Sequence, residues 1–215
     1  MKNLKKLFLV TCLCWSPFNA TCQIAVSGDP LGGTPMAGQS YMNVKGSPYL
    51  FESWEKGSVT MASGKKFDNL DLMFDQVTNQ IIFKDTDGST KAFNQPIASF
   101  VIGKDANTHK FERGTDGIFY EKVVTGNLTL WKKNHKSLID EKPYGSATLQ
   151  RNVLNNITYY VGDLAQLTKI KTDKKSVLAL MATKTTEIEE FIKKEKLSTK
   201  TENDLIRVFQ YYNTL

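Results

Sequence analysis

Thiols are scarce in this chain and badly placed for chemistry. The three cysteines, Cys12, Cys14 and Cys22, all fall within the first 22 of its 215 residues. If that stretch is removed, what remains has no thiol, which excludes disulfides, a thiolate nucleophile and Cys-ligated zinc. It also sets the chain apart from small secreted domains held by disulfide staples. Histidine is nearly as rare. His109 and His135 stand alone in polar segments, without the His-x-x-x-His or His-Glu pairing from which zinc sites and catalytic pairs are built. A Gly-x-Ser-x-Gly elbow is missing, and so is a phosphate loop with its Lys-Ser/Thr pair. No metal or other cofactor is therefore expected. The formal charge of +6 includes Lys2, Lys5 and Lys6; without them it falls to +3, with no basic cluster beside stacking aromatics, so nucleic acid is not an expected partner. Nor is there an apolar run of the about 20 residues that a membrane helix needs.

What the N-terminus does contain is an export signal. Lys2, Lys5 and Lys6 precede the apolar run Leu7–Trp15, and small residues follow at Ala20-Thr21-Cys22. Basic flank, short apolar core and small-residue end together describe a signal peptide over residues 1–22, cut before Gln23 or after Ala20. A freely soluble periplasmic or secreted form is favoured over lipid attachment at Cys12 or Cys22, because Leu9-Val-Thr-Cys12 would cut the apolar run short and Asn19-Ala-Thr-Cys22 lacks the leucine.

Residues 23–47 hold Gly28, Gly32, Gly33, Gly38 and Gly46, with Pro30 and Pro35. Glycine and proline at that density predict an extended lead-in outside the core. Residues 48–170 then read as an antiparallel β domain. Leu70, Leu72 and Phe74 alternate with Asp71, Met73 and Asp75, the period of two of a half-buried strand. Thr78-Asn79, Asp87-Gly88 and Gly126-Asn127 are turn signals between apolar runs at 58–62, 80–84, 91–93, 99–103, 117–124, 128–131 and 157–161. The polar stretch 132–155 reads as a connection. Strands recurring about every 10 residues predict a curved antiparallel sheet, a sandwich or a partial barrel. From Asp173 the apolar period lengthens. Val177, Leu180, Met181, Ile188, Phe191 and Ile192 share one helical face, and Leu205, Val208, Phe209 and Tyr212 another. Asp173 is the expected cap of the first helix, and Thr199 with Glu202 fits a capping box for the second. The expected fold is thus α+β, a β-meander followed by a two-helix hairpin over 171–215.

Candidate chemistry is thin. Asp85-Thr-Asp87-Gly88-Ser89 begins like a calcium loop but has Thr90 and Pro96 where glycine and a bidentate glutamate belong, so a hairpin turn is the better reading. Asp68, Asp71, Asp75 and Glu121 are carboxylates that a glycosidase-like hydrolase would need to converge, although alternating aspartates ordinarily mark a solvent-facing strand. The aromatic flank Tyr49, Phe51 and Trp54, just ahead of the first hairpin, is the candidate binding surface.

The segment Gly46-Ser-Pro-Tyr-Leu-Phe-Glu-Ser-Trp-Glu-Lys-Gly57 and the closing Phe209-Gln-Tyr-Tyr-Asn-Thr-Leu215 resemble a group of uncharacterised exported proteins of Gram-negative bacteria, in which a β-meander precedes a helical hairpin ending in Tyr-Tyr-Asn. The resemblance supports export and the order of elements; it implies no activity and no functional residues. The expected function is a non-enzymatic binding or structural role in the cell envelope, with another envelope protein or a surface polymer as partner. The alternatives are a small-molecule or lipid carrier with a β-enclosed cavity, and a carboxylate-dependent hydrolase.

Overall fold

The computed structural model describes residues 31, 33–36, 41, 43–142, 144–145 and 149–215. The expected leader 1–22, with its cysteines, and Gly28, Gly32, Gly38 and Pro30 lie outside them. Twelve strands among the described residues form one sheet: β1 (Gly33–Pro35), β2 (Val44–Lys45), β3 (Glu55–Met61), β4 (Lys66–Asp75), β5 (Gln80–Lys84), β6 (Thr90–Phe93), β7 (Ile97–Ile102), β8 (His109–Arg113), β9 (Phe119–Val124), β10 (Leu130–Glu141), β11 (Gln150–Asp163) and β12 (Gln166–Ile170). The order across the sheet is β1-β6-β5-β4-β3-β7-β8-β9-β10-β11-β12 and every neighbour in it is antiparallel, while β2 adds to β11 in parallel. The fold is α+β, and the sheet does not close into a barrel.

The predicted alternation holds where it matters. Leu72 and Phe74 of β4, Ile81 and Phe83 of β5, and Phe100 and Ile102 of β7 enter one core with Val59, Phe111 and Phe119. This core curls the sheet. Phe74 and Phe119 sit on strands four places apart, about 19 Å in a flat sheet, yet their rings lie 5.9 Å apart. Phe100 bridges them, stacked on Phe111 at 4.6 Å and edge-on to Phe74 at 5.0 Å. The curl brings the β4–β5 turn onto the far strands. Asn79 donates to the Gly117 carbonyl and accepts from the Phe119 N–H, and the Lys136 N–H donates to the Gln76 carbonyl.

Three helices, not two, cover the other end of the same sheet: α1 (Lys174–Leu180), α2 (Thr185–Lys194) and α3 (Glu202–Tyr212). The first predicted helix is broken after Leu180 by a short 3-10 turn, Ala182–Lys184, at a threonine-rich stretch where the Thr185 hydroxyl bonds back to the carbonyls of Met181 and Ala182. Asp173 caps α1 as expected, accepting from the Ser176 N–H at 3.0 Å. The capping box of Thr199 and Glu202 does not form. Helix α3 starts after Thr201, Thr199 is buried, and Glu202 reaches the sheet instead. Asn213, from the terminal Tyr-Tyr-Asn, locks the helices to the β9–β10 turn by donating to the Leu128 carbonyl and accepting from its N–H. Gly126 leaves room for it, since a Cβ there would stand 2.2 Å from the Asn213 side chain.

Two departures from expectation lie in the loops. Part of the 23–47 lead-in forms edge strands: β1 on β6, and β2 on β11. The polar stretch 132–155 is mostly strand, because β10 and β11 pair continuously from Leu130–Val161 to Glu141–Gln150. Its polarity goes with partial exposure, since β9 ends opposite Lys132 and β12 opposite Tyr159, leaving an arm of β10 and β11 beyond them on which β2 pairs at Arg151 and Asn152. Strands β8 and β12 carry too few apolar residues to be read from the sequence.

Because the curl rests on the aromatic cluster, Phe74→Ala is expected to cost about 3–5 kcal/mol of stability, measured by urea unfolding of the chain from Gln23. A loss below about 1 kcal/mol would mean that Phe74 does not hold the curl.

Candidate functional site

A cavity lies on the outer face of the curl. Pairing fixes its floor: Met73 and Asp75 of β4, Gln80 and Ile82 of β5 and Thr90 of β6 point away from the aromatic core. Met73, Ile82 and Ala92 form a small second apolar cluster there. The lead-in supplies the walls. Met36 follows β1, and Tyr49 and Trp54 come from the segment that connects β2 to β3. Tyr49 pairs with Asp75 as an isolated antiparallel bridge, flanked by the Leu50 N–H to Phe74 carbonyl and Gln76 N–H to Pro48 carbonyl bonds. The cavity between wall and floor measures about 370 Å³.

Asp75 is buried at its base, 3% exposed, which corrects the reading of it as one of several solvent-facing aspartates. One carboxylate oxygen accepts from the Tyr41 hydroxyl at 2.5 Å, and the other from the backbone N–H groups of Val77 at 2.8 Å and Thr78 at 3.1 Å. These bonds hold the turn after β4 and keep the carboxylate hydrogen-bonded without a cation; none of its bonds among the described residues is an ion pair. Burial first, and Asp75 second, raise the Tyr41 and Tyr49 hydroxyls above their ordinary range, so both remain donors. Tyr41 stands edge-on to Tyr49 at 5.8 Å and fixes that ring. Lys136 of β10 pins the same segment by donating to the carbonyls of Ser47 (3.0 Å) and Tyr49 (2.5 Å). Burial draws its ammonium down, against the opposing pull of Asp75 and Glu52.

The predicted aromatic flank is thus split. Tyr49 and Trp54 line the cavity with Asp75, while Phe51 packs on the main aromatic core and lies edge-on to His109 at 5.5 Å. Sequence reasoning missed Met36, Tyr41, Met73, Gln80, Ile82 and Thr90. One signal for them was available: Ile81, Ile82 and Phe83 are consecutive apolar residues, as expected of a strand covered on both faces.

The other candidate carboxylates are engaged elsewhere. Asp71 and Asp68 pair at the surface with Lys56 and Lys66. Asp85 and Asp87 accept from Thr86 and Ser89 as turn residues, and no group of acidic or histidine residues among those described could hold a metal ion. Glu121 belongs to a part-buried row of polar and charged side chains that crosses four strands between the two apolar cores. His109 of β8 meets one Glu121 oxygen at 2.5 Å, Lys132 of β10 meets the other at 2.9 Å, and Lys132 continues to Glu202 of α3 at 2.6 Å. Tyr159 of β11 donates to the second Glu202 oxygen at 2.8 Å. His109 therefore has its glutamate, twelve residues away in the chain. Burial alone would raise the Glu121 carboxyl; the His109 and Lys132 bonds outweigh it and leave it below the usual range. Burial would lower Lys132, and Glu121 and Glu202 more than reverse this. Beside the row runs a larger, shallow groove of about 730 Å³ with Lys169, Lys171 and Lys200. Its carboxylates, Asp173 and Glu202, are committed to the α1 cap and to Lys132.

A glutamate whose folded pKa is depressed contributes stability above its unfolded value, near 4.3, and that stability is lost as pH falls through the folded one. Glu121→Gln is expected to cost about 3–5 kcal/mol at pH 7 and to flatten the decline of stability between pH ~5 and ~3, measured by urea unfolding at several pH values. Parallel wild-type and variant profiles would rule out this linkage. Comparison of the chain with known protein families, with curated proteins and with solved structures finds no match.

Proposed function

We propose that this protein is exported to the cell envelope and works there as a non-enzymatic binding protein, holding a ligand in the cavity between Met36, Tyr49 and Trp54 and the outer face of the sheet. The ligand is a small molecule, or a projecting group of a surface polymer or of another envelope protein. The observation that carries the reading is the convergence of Tyr49 and Trp54 with Met36, Met73 and Ile82 around the buried carboxylate of Asp75. Ligand sites have this composition, mostly apolar and aromatic walls with few oriented polar groups. The carrier alternative called for an empty interior; here the inside of the curl is filled by Val59, Phe74, Phe83, Phe100 and their neighbours. The hydrolase alternative called for two carboxylates in one cleft, and Asp68, Asp71 and Glu121 each serve an ion pair of their own.

A second surface supports a protein partner in addition. The β10–β11 arm extends past its neighbouring strands and exposes Tyr144, Leu149, Leu154 and Ile157. Open strand edges accept further strands, as β11 already accepts β2 at Arg151 and Asn152.

The cavity reading is tested by incubating the chain from Gln23, as wild type and as Trp54→Ala, with an extract of its own envelope, followed by native mass spectrometry. A bound mass on the wild type that is lost from a folded Trp54→Ala is the expected result. Equal retention by the variant, or turnover of a glycan or ester panel by the wild type, would overturn it.

A further inference from the structure

The composition of the cavity also selects the charge of its ligand. Resting on the reading above, we infer that the group it takes is an alkylated ammonium cation.

Three observations converge. The walls offer the aromatic rings of Tyr49 and Trp54 and the thioethers of Met36 and Met73, and no lysine, arginine or histidine lines the space among the described residues. Aromatic faces attract cations through their quadrupoles, and more strongly where water is excluded. The base is Asp75, 3% exposed and hydrogen-bonded by Tyr41, Val77 and Thr78. A carboxylate has about four lone-pair positions; three are filled, so the oxygen facing Tyr41 retains one. The nearby ammonium, that of Lys136, is committed to the Ser47 and Tyr49 carbonyls and is not part of the lining.

Charge then decides between ligands. A neutral apolar guest would offer the Asp75 carboxylate no opposite charge and no hydrogen bond, which disfavours it. An anion would meet a buried charge of its own sign. A compact ammonium carrying methyl groups gains from both halves of the site at once: its alkyl surface packs on the rings and thioethers, and its charge sits against the carboxylate. Such a group occurs on free quaternary amines and on choline headgroups of lipids, and the chemistry recognised is the same.

The test is calorimetric titration of the chain from Gln23 with choline and with 3,3-dimethylbutan-1-ol, its neutral isostere. Choline is expected to bind one to one and at least about tenfold more tightly than the alcohol. Asp75→Asn keeps an oxygen for the Val77 and Thr78 N–H groups while removing the charge. It is expected to lose at least about tenfold in choline affinity, bringing choline and the alcohol close to equal affinity. Trp54→Leu, farther from the turn, is expected to weaken choline as well, and a thermal melt of each variant verifies folding. Cosedimentation with phosphatidylcholine vesicles separates the sources: capture identifies a headgroup, and choline binding without capture a free amine. Equal affinity for choline and the alcohol would overturn the cation assignment and leave a ligand cavity standing. Binding of neither choline nor vesicles would overturn the assignment too, while the bound mass from the envelope extract is judged separately.

Discussion

Phe74 touches Phe111 and Phe119, and most of the molecule depends on that contact. Strands this far apart in pairing order meet only if the sheet coils sharply. Sheet twist supplies the direction of the coil, and burial of several phenylalanine rings, each worth about 1.5–3 kcal/mol, supplies its driving force. Once coiled, the sheet presents the β4–β5 turn to β8–β9 and to the middle of β10. The carbonyl of Gln76 then finds the Lys136 N–H, and the Lys136 side chain in turn secures the segment carrying Tyr49. The cavity is therefore a by-product of the curl. Its floor is the back of the strands whose fronts make the core.

The same face of the sheet holds two apolar cores, one inside the curl and one under the helices, separated by His109, Glu121, Lys132 and Glu202. A buried ion row of this kind adds little net stability over apolar packing, since desolvation offsets the attraction. Its effect here is on register. Glu121 is held between His109 and Lys132, and Lys132 between Glu121 and Glu202, so a slip of one residue would turn these side chains to the opposite face. Glu202 sits in the first turn of α3, where the helix dipole also favours a negative charge. Diverted to the sheet, it leaves the helix without the predicted capping box, and Asp204 instead accepts from the Ser198 N–H.

Much of the architecture was legible in the sequence. The alternation of Leu70 to Asp75, the turns at Asn79 and Gly88 and the period of 3.6 after Asp173 are local signals, set by which neighbours within a few residues are apolar. The misses follow from the same fact. Strand β8 puts a single apolar residue, Phe111, into the core, and the arm of β10–β11 carries no alternation because it extends beyond the apolar layer. Threonines 183, 185 and 186 split a helix whose apolar face alone suggested continuity.

The candidate site divides along the same line. The sequence by itself determined that Tyr49 and Trp54 would gather before the first hairpin and that Met73 and Asp75 would share the face opposite Phe74. Whether that opposite face met water was decided by the tertiary structure alone. Tyr41 lies 34 residues from Asp75 and Lys136 lies 87 from Tyr49, and no local pattern reports such separations. The coiled sheet closes them, covering one aspartate and leaving its near neighbour Asp71 at the surface, because burial is a property of what folds over a strand and not of the strand itself.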